Sequence, residues 1–150
     1  MRNSELWQDW EDEVAEALDG DKVKCSGRLD MFKGDIKTTE WLIDAKETQT
    51  DGYAVSESFW RELSSWARNE GRNPVIAIRI ENDAVHEIAV LTEISYAEMH
   101  ADYQPDDQLK RQKQKKVTAK MAGRKPSAFQ VGPYRLIAYS FDEFVRDVVR

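Results

Sequence analysis

Two short segments carry residues able to do chemistry together: Gly34-Asp35-Ile36-Lys37 and, after the polar Thr38-Thr39-Glu40, the run Trp41-Leu42-Ile43-Asp44-Ala45-Lys46. Both read as strands joined by a tight connection. Successive side chains on a strand leave on opposite faces, so Asp44 and Lys46 share one face while Ile43 and Ala45 share the other. If the strand carrying Asp35 pairs with its successor, Asp35 comes within the few ångströms of Asp44 that separate opposed residues of a ladder. Two carboxylates and an ammonium then converge. Neighbouring carboxylates repel and lose hydration on burial, so the cluster is costly unless a cation occupies it. Mg²⁺ is the expected occupant, with Mn²⁺ as a substitute. It takes hard oxygen ligands and is commonly held by one or two carboxylates together with substrate phosphate oxygens. Such an ion polarises a phosphodiester and steadies the leaving oxygen, while Lys46 orients or deprotonates an attacking water. The chemistry expected is hydrolysis of a nucleic-acid backbone. An Asp-x-Lys tripeptide alone is common in a chain with 33 % charged residues, and on an exposed strand it is a surface ion pair of little value. Context distinguishes this one: it ends an apolar run, Gly-Asp precedes it at hairpin distance, and helical segments bracket the unit.

The elements that must hold these residues follow from hydrophobic periodicity. Leu6, Trp7, Trp10, Val14, Ala17 and Leu18 recur at helical spacing over 4–18, and Gly20 stops the helix. A polar loop through Gly52 leads to a second helix over 56–69, with Phe59, Trp60, Leu63, Trp66 and Ala67 on one face and Gly71 at its end. Strands are predicted over 74–80 and 85–91, joined by an Asn82-Asp83 turn, with a short helix over 92–100. Phe129 to Val131, a Gly132-Pro133 turn, Tyr134 to Tyr139 and a closing helix over 141–149 complete the chain. This order predicts a single mixed α/β domain, a central sheet flanked by helices.

Length and composition agree with one core: 150 residues with 41 % apolar content are enough to bury a single domain. No apolar stretch approaches the ~20 residues of a bilayer span, and the acidic start of the chain is unlike a signal peptide. The lone Cys25 forms no internal disulfide, and with His86 and His100 it is too little for a zinc site. A reduced, cytoplasmic setting fits. No serine elbow, phosphate-cradling glycine loop or His-Glu-x-x-His motif occurs, and the two histidines read as structural or exposed.

The pattern Gly34-Asp35-Ile36, a gap, then Leu42-Ile43-Asp44-Ala45-Lys46 resembles the PD-(D/E)xK nuclease signature. With the leading Ser26-Gly27 it is most similar to the archaeal and phage Holliday-junction resolvases of that superfamily. Gly34 stands where the signature has proline, and Asp44 where glutamate is commoner; neither change removes an oxygen ligand. The likeness spans roughly the first 90 residues. It implies a restriction-endonuclease-like fold and Mg²⁺-dependent endodeoxyribonuclease activity, with Asp35 and Asp44 on the metal and Lys46 at the attacking water. The run Trp10-Glu11-Asp12-Glu13-Val14-Ala15-Glu16-Ala17-Leu18 is similar to the resolvases' first helix, whose glutamate completes the metal shell. That assigns the third ligand to Glu11, with Glu13 as the alternative. Cutting a four-way junction on two strands further implies a homodimer. Two rivals remain: a restriction, repair or DNA-degrading nuclease using the same four residues, and a noncatalytic DNA-binding module in which the acids are surface charge.

A DNA partner needs counter-charge, because the chain carries a net −6 and a pI near 5.0. One segment supplies it. Lys110, Arg111, Lys113, Lys115, Lys116, Lys120, Arg124 and Lys125 fall within sixteen residues that hold no acid. It is expected to be an insertion or loop that contacts the phosphate backbone, and without an aromatic residue it is not expected to stack on bases. Lys33, beside Gly34, joins this expected contact set. Ser56 reads first as a helix N-cap, with phosphate contact as its sharper role. The tryptophans at core spacing read as packing or a dimer seam before any contact with bases.

Overall fold

The apolar run at 74–80 becomes the middle of a mixed sheet because both of its faces are covered. The computed structural model describes residues 3–22 and 36–149, with side chains from residue 9 onward. In chain order the elements are α1 (Asn3–Leu18), β1 (Asp21–Lys22), β2 (Ile36–Lys37), β3 (Trp41–Thr48), β4 (Gly52–Ser56), α2 (Glu57–Asn69), β5 (Asn73–Glu81) and β6 (Val85–Thr92). There follow α3 (Glu93–Met99), β7 (Arg111–Gln112), β8 (Gln114–Thr118), a 3₁₀ turn (Ala119–Met121), β9 (Ser127–Val131), β10 (Tyr134–Ser140) and α4 (Phe141–Val149). Eight strands order as β1-β2-β3-β5-β6-β10-β9-β7, parallel at β3–β5 and β7–β9 and antiparallel elsewhere. Parallel neighbours need a crossover, and β4 with α2 supplies it between β3 and β5. The expected mixed α/β architecture, a sheet flanked by helices, is what forms.

Residue parity along the central strands divides two cores. Val75 and Ala77 of β5 join Trp41 and Ile43 of β3 under α1, α3 and α4, where Trp10, Val14, Tyr96, Phe141 and Phe144 are buried. Ile76, Ile78 and Ile80 join Leu42 under α2, which contributes Trp60, Leu63 and Ala67. Each fully buried aliphatic side chain contributes about 1.5–3 kcal/mol. Trp10 adds a directional tie, its Nε1 donating to the Ala77 carbonyl at 3.0 Å inside the core.

Two segments differ from the sequence expectation. The stretch around Gly52 and the basic segment are not simply loops: β4 and β8 pair antiparallel as a separate two-stranded ribbon, from Gly52 with Thr118 to Ser56 with Gln114. Val55 and Val117 are fully buried on its inner side and anchor it to the α2 core. In β8 one apolar residue among Gln114, Lys115, Lys116, Val117 and Thr118 carries no legible period of two; a partner about sixty residues earlier makes it a strand.

Candidate functional site

On β3, Trp41, Ile43 and Ala45 face α1 and α4, whereas Leu42, Asp44 and Lys46 take the opposite parity, toward α2 and the ribbon. Asp44 is 1 % exposed, and Lys46 Nζ lies 3.2 Å from its Oδ2. The ammonium also sits over the Phe59 ring, 5.1 Å from its centroid. Phe59 is held there by the start of α2: Ser56 caps the helix, its Oγ accepting the Phe59 N–H at 3.2 Å. An exposed ion pair is therefore not what forms. Burying Asp44 strips its hydration, and an apolar pair of similar volume would serve the core at least as well, so packing alone does not account for the charges here.

Across this pair lies Tyr53 of β4. Burial raises the pKa of its phenol, the Lys46 ammonium opposes the rise, and the Asp44 carboxylate adds to it. Sequence reasoning missed Tyr53 and Phe59. The alternation of Tyr53 and Val55 was the available signal for β4, hidden by the polar residues before it.

Three sequence-predicted residues or motif positions, Lys33, Gly34 and Asp35, lie outside the described residues, as do Ser26 and Gly27. The β2–β3 ladder pairs Ile36 with Ile43 and Lys37 with Leu42, so described β2 ends beside the strand that carries Asp44. Helix α1 packs on the sheet face opposite to that of Asp44 and Lys46. Glu13, the alternative third ligand, is committed there, 3.2 Å from Arg79 Nη1. Glu11 is half-buried and leaves the helix about 200° around from Glu13, on its other flank. Among the described residues no three acids, histidines or cysteines gather to hold a metal ion. The described contribution to a cation is thus the single buried carboxylate of Asp44. A carboxylate is a hard oxygen donor of the kind Mg²⁺ takes.

Glu13 belongs to a second charged group. Arg79 faces Glu47 across the parallel ladder and Glu87 across the antiparallel one, and its Nε lies 3.9 Å from Glu81 and 4.0 Å from Glu87. One guanidinium answers four carboxylates. Burial, opposed by Arg79, raises the pKa of both Glu47 and Glu87.

The eight basic residues divide by position. Lys113, Lys115 and Lys116 lie on or beside the ribbon, and the Lys113 carbonyl accepts the Glu57 N–H at 2.9 Å, joining it to the start of α2. Lys110, Arg111 and Lys120 are exposed nearby in sequence, and Lys116 Nζ pairs with Asp51 at 2.5 Å. Arg124 instead reaches Glu143 of α4 at 3.1 Å. Lys125 lines a separate cleft of about 540 Å³ with Tyr96, His100 and Tyr103. In that region His100 Nε2 lies 2.6 Å from Asp147 Oδ2, which also accepts the Tyr139 hydroxyl at 2.7 Å. This network straps α3 to α4.

No family model and no curated protein matches the sequence. Among solved structures, the chain is similar to Hjc, a Holliday junction resolvase from the archaeal hyperthermophile Archaeoglobus fulgidus, with 18 % identity, 57 % of this chain and 72 % of that chain covered, and a TM-score of 0.44. Among the described residues no helix is long and apolar enough to cross a membrane.

Proposed function

We propose that this chain is a Mg²⁺-dependent endodeoxyribonuclease of the restriction-endonuclease-like kind, acting on branched or duplex DNA. The observation that carries the reading is a carboxylate 1 % exposed and ion-paired to Lys46 at 3.2 Å, on the sheet face that a lysine-bearing ribbon shares. Asp44 and Asp35 would hold the cation; because α1 packs on the other sheet face, Glu11 would complete the shell only by reaching around the β1–β2 edge of the sheet. Sharing the cation requires the β2–β3 register to continue by one residue, so that Asp35 opposes Asp44. When bound, the cation supplies Lewis-acid polarisation of the phosphodiester and support for the leaving oxygen. Lys46, steadied by Asp44 and the Phe59 ring, orients the attacking water and balances charge that develops on the phosphoryl oxygens. Lys110, Arg111, Lys113, Lys115, Lys116 and Lys120 would supply the counter-charge that an acidic chain needs to approach DNA.

The test is a Mg²⁺-dependent cleavage panel on four-way junction, flap, linear duplex and single-stranded DNA. Wild type should cut, and Asp44→Asn and Lys46→Ala should each lose about 10²–10⁴-fold in rate while still binding DNA. Equal cutting by wild type and both variants removes the pair from the mechanism. Binding without any cutting by wild type leaves a DNA-binding module. A resolvase would nick the junction on paired strands as a two-fold dimer, which light scattering of the junction complex reads directly.

A further inference from the structure

The ribbon has an inner and an outer side, fixed by the buried Val55 and Val117. Tyr53 stands opposite Val117 and Lys115 opposite Val55, so both begin on the inner side as diagonal neighbours. Diagonal pairs of this kind are about 7–8 Å apart at the backbone, within reach of a phenol and a lysine stem. Both residues are only half-exposed. Among the described residues no hydrogen bond acts on the Tyr53 phenol, and Lys115 forms no ion pair, whereas the outward Lys116 has Asp51. Two donors on one partly covered surface thus lack acceptors, beside the Asp44–Lys46 pair.

We infer that Tyr53, with Lys115 beside it, is a substrate-positioning residue: its hydroxyl donates to a non-bridging oxygen of a DNA backbone phosphate at the Asp44–Lys46 site, and Lys115 neutralises that or the adjoining phosphate. The inference rests on the nuclease reading for its catalytic consequence, but its binding consequence stands apart from it. A neutral phenol is suited to the role, because the neutral form donates. A neutral hydroxyl beside an ammonium suits the tetrahedral edge of a phosphate, which accepts from both.

Tyr53→Phe keeps the ring in its packing and removes only the hydroxyl; Lys115→Ala removes the charge. Binding is read by fluorescence anisotropy with a labelled DNA duplex, without divalent metal, across a salt series, and cleavage is read with Mg²⁺ across a range of DNA concentrations. Lys115→Ala should lower the slope of log affinity against log salt by about one. Tyr53→Phe should bind the duplex about tenfold more weakly, raise KM for cleavage by about as much with kcat little changed, and melt with wild type. A merely structural role would move melting and leave the salt slope alone. Variants that match wild type within about twofold in slope and in cleavage overturn the inference. If wild type binds but does not cut, the nuclease reading fails by itself. The inference is then decided by binding: a reduced slope for Lys115→Ala and about tenfold weaker binding for Tyr53→Phe support it, and unchanged values overturn it.

Discussion

Glu47 follows Lys46 on β3 but leaves on the other face, and the local chemistry makes its charge a burden that Glu47→Gln should relieve. Both carboxylate oxygens are out of solvent and neither accepts a hydrogen bond from a donor. Arg79 lies across the ladder but is shared with Glu13, Glu81 and Glu87, and the Glu81 carboxyl is close enough to share a proton with Glu47. A buried charged group lacking hydrogen bonds costs about 1–3 kcal/mol, part of which the shared guanidinium offsets. Replacing the charge by an amide of the same shape should therefore stabilise the fold by about 1 kcal/mol near neutral pH, a rise in Tm of about 2–4 °C at this chain length. The sign with pH follows from linkage. Burial, the largest influence, raises the folded pKa above the unfolded 4.5, so between the two values the folded state binds more protons. Wild-type stability from this group is greatest below the unfolded value and is lost as pH rises through the folded one. The advantage of Glu47→Gln should vanish below the unfolded value and grow to its full size as pH rises past the raised folded one. Guanidinium and thermal melts of both proteins across that range measure it. A variant less stable than wild type at neutral pH, or a gain that does not change with pH, refutes the reasoning.

On the opposite pH limb, Arg135 grips Glu93 through Nε at 2.7 Å and Nη2 at 3.1 Å, and this hydrogen bonding holds the Glu93 carboxyl below its ordinary range. Arg135→Met should cost about 2 kcal/mol near neutral pH in denaturant melts, and the cost should shrink as acid titrates Glu93 through its lowered folded pKa. Gly132 turns β9 into β10 with φ +56°, and a Cβ there would collide with the Glu57 side chain. Gly132→Ala should lose at least about 1–2 kcal/mol to the left-handed backbone alone. Glu57→Ala in that background should recover the collision but not the backbone cost, a partial rescue readable by thermal melts.

The parts of the fold that were legible in the sequence are those whose own residues state a period. Helix α2 announces itself through Phe59, Trp60, Leu63 and Ala67 and through its Ser56 cap, and β5 through its apolar run; both formed where expected. The shared face of Asp44 and Lys46 was legible for the same reason, since alternation on a strand needs no knowledge of the partner. What was not legible depends on distant pieces. Lys115 and Lys116 look like solvated charge until Val55 and Val117 anchor their strand against β4. The burial of Asp44 likewise depends on α2 and the ribbon closing over β3. Glu11 and Glu13 both lie at the margin of α1's apolar stripe, and the pairing of Glu13 depends on the position of Arg79 on β5.

The β4–β8 ribbon has five residue pairs, and Val55, Val117 and the Glu57 amide are among its ties to the main body. An isolated pair of strands is marginal in water, so such anchors set how often it lifts away. Its amides should open to solvent at lower free energy than those of β5, which is covered on both faces. A polyanion lying along the lysines would favour the seated ribbon over the lifted one, so its grip and the local folding of this flap draw on the same free energy.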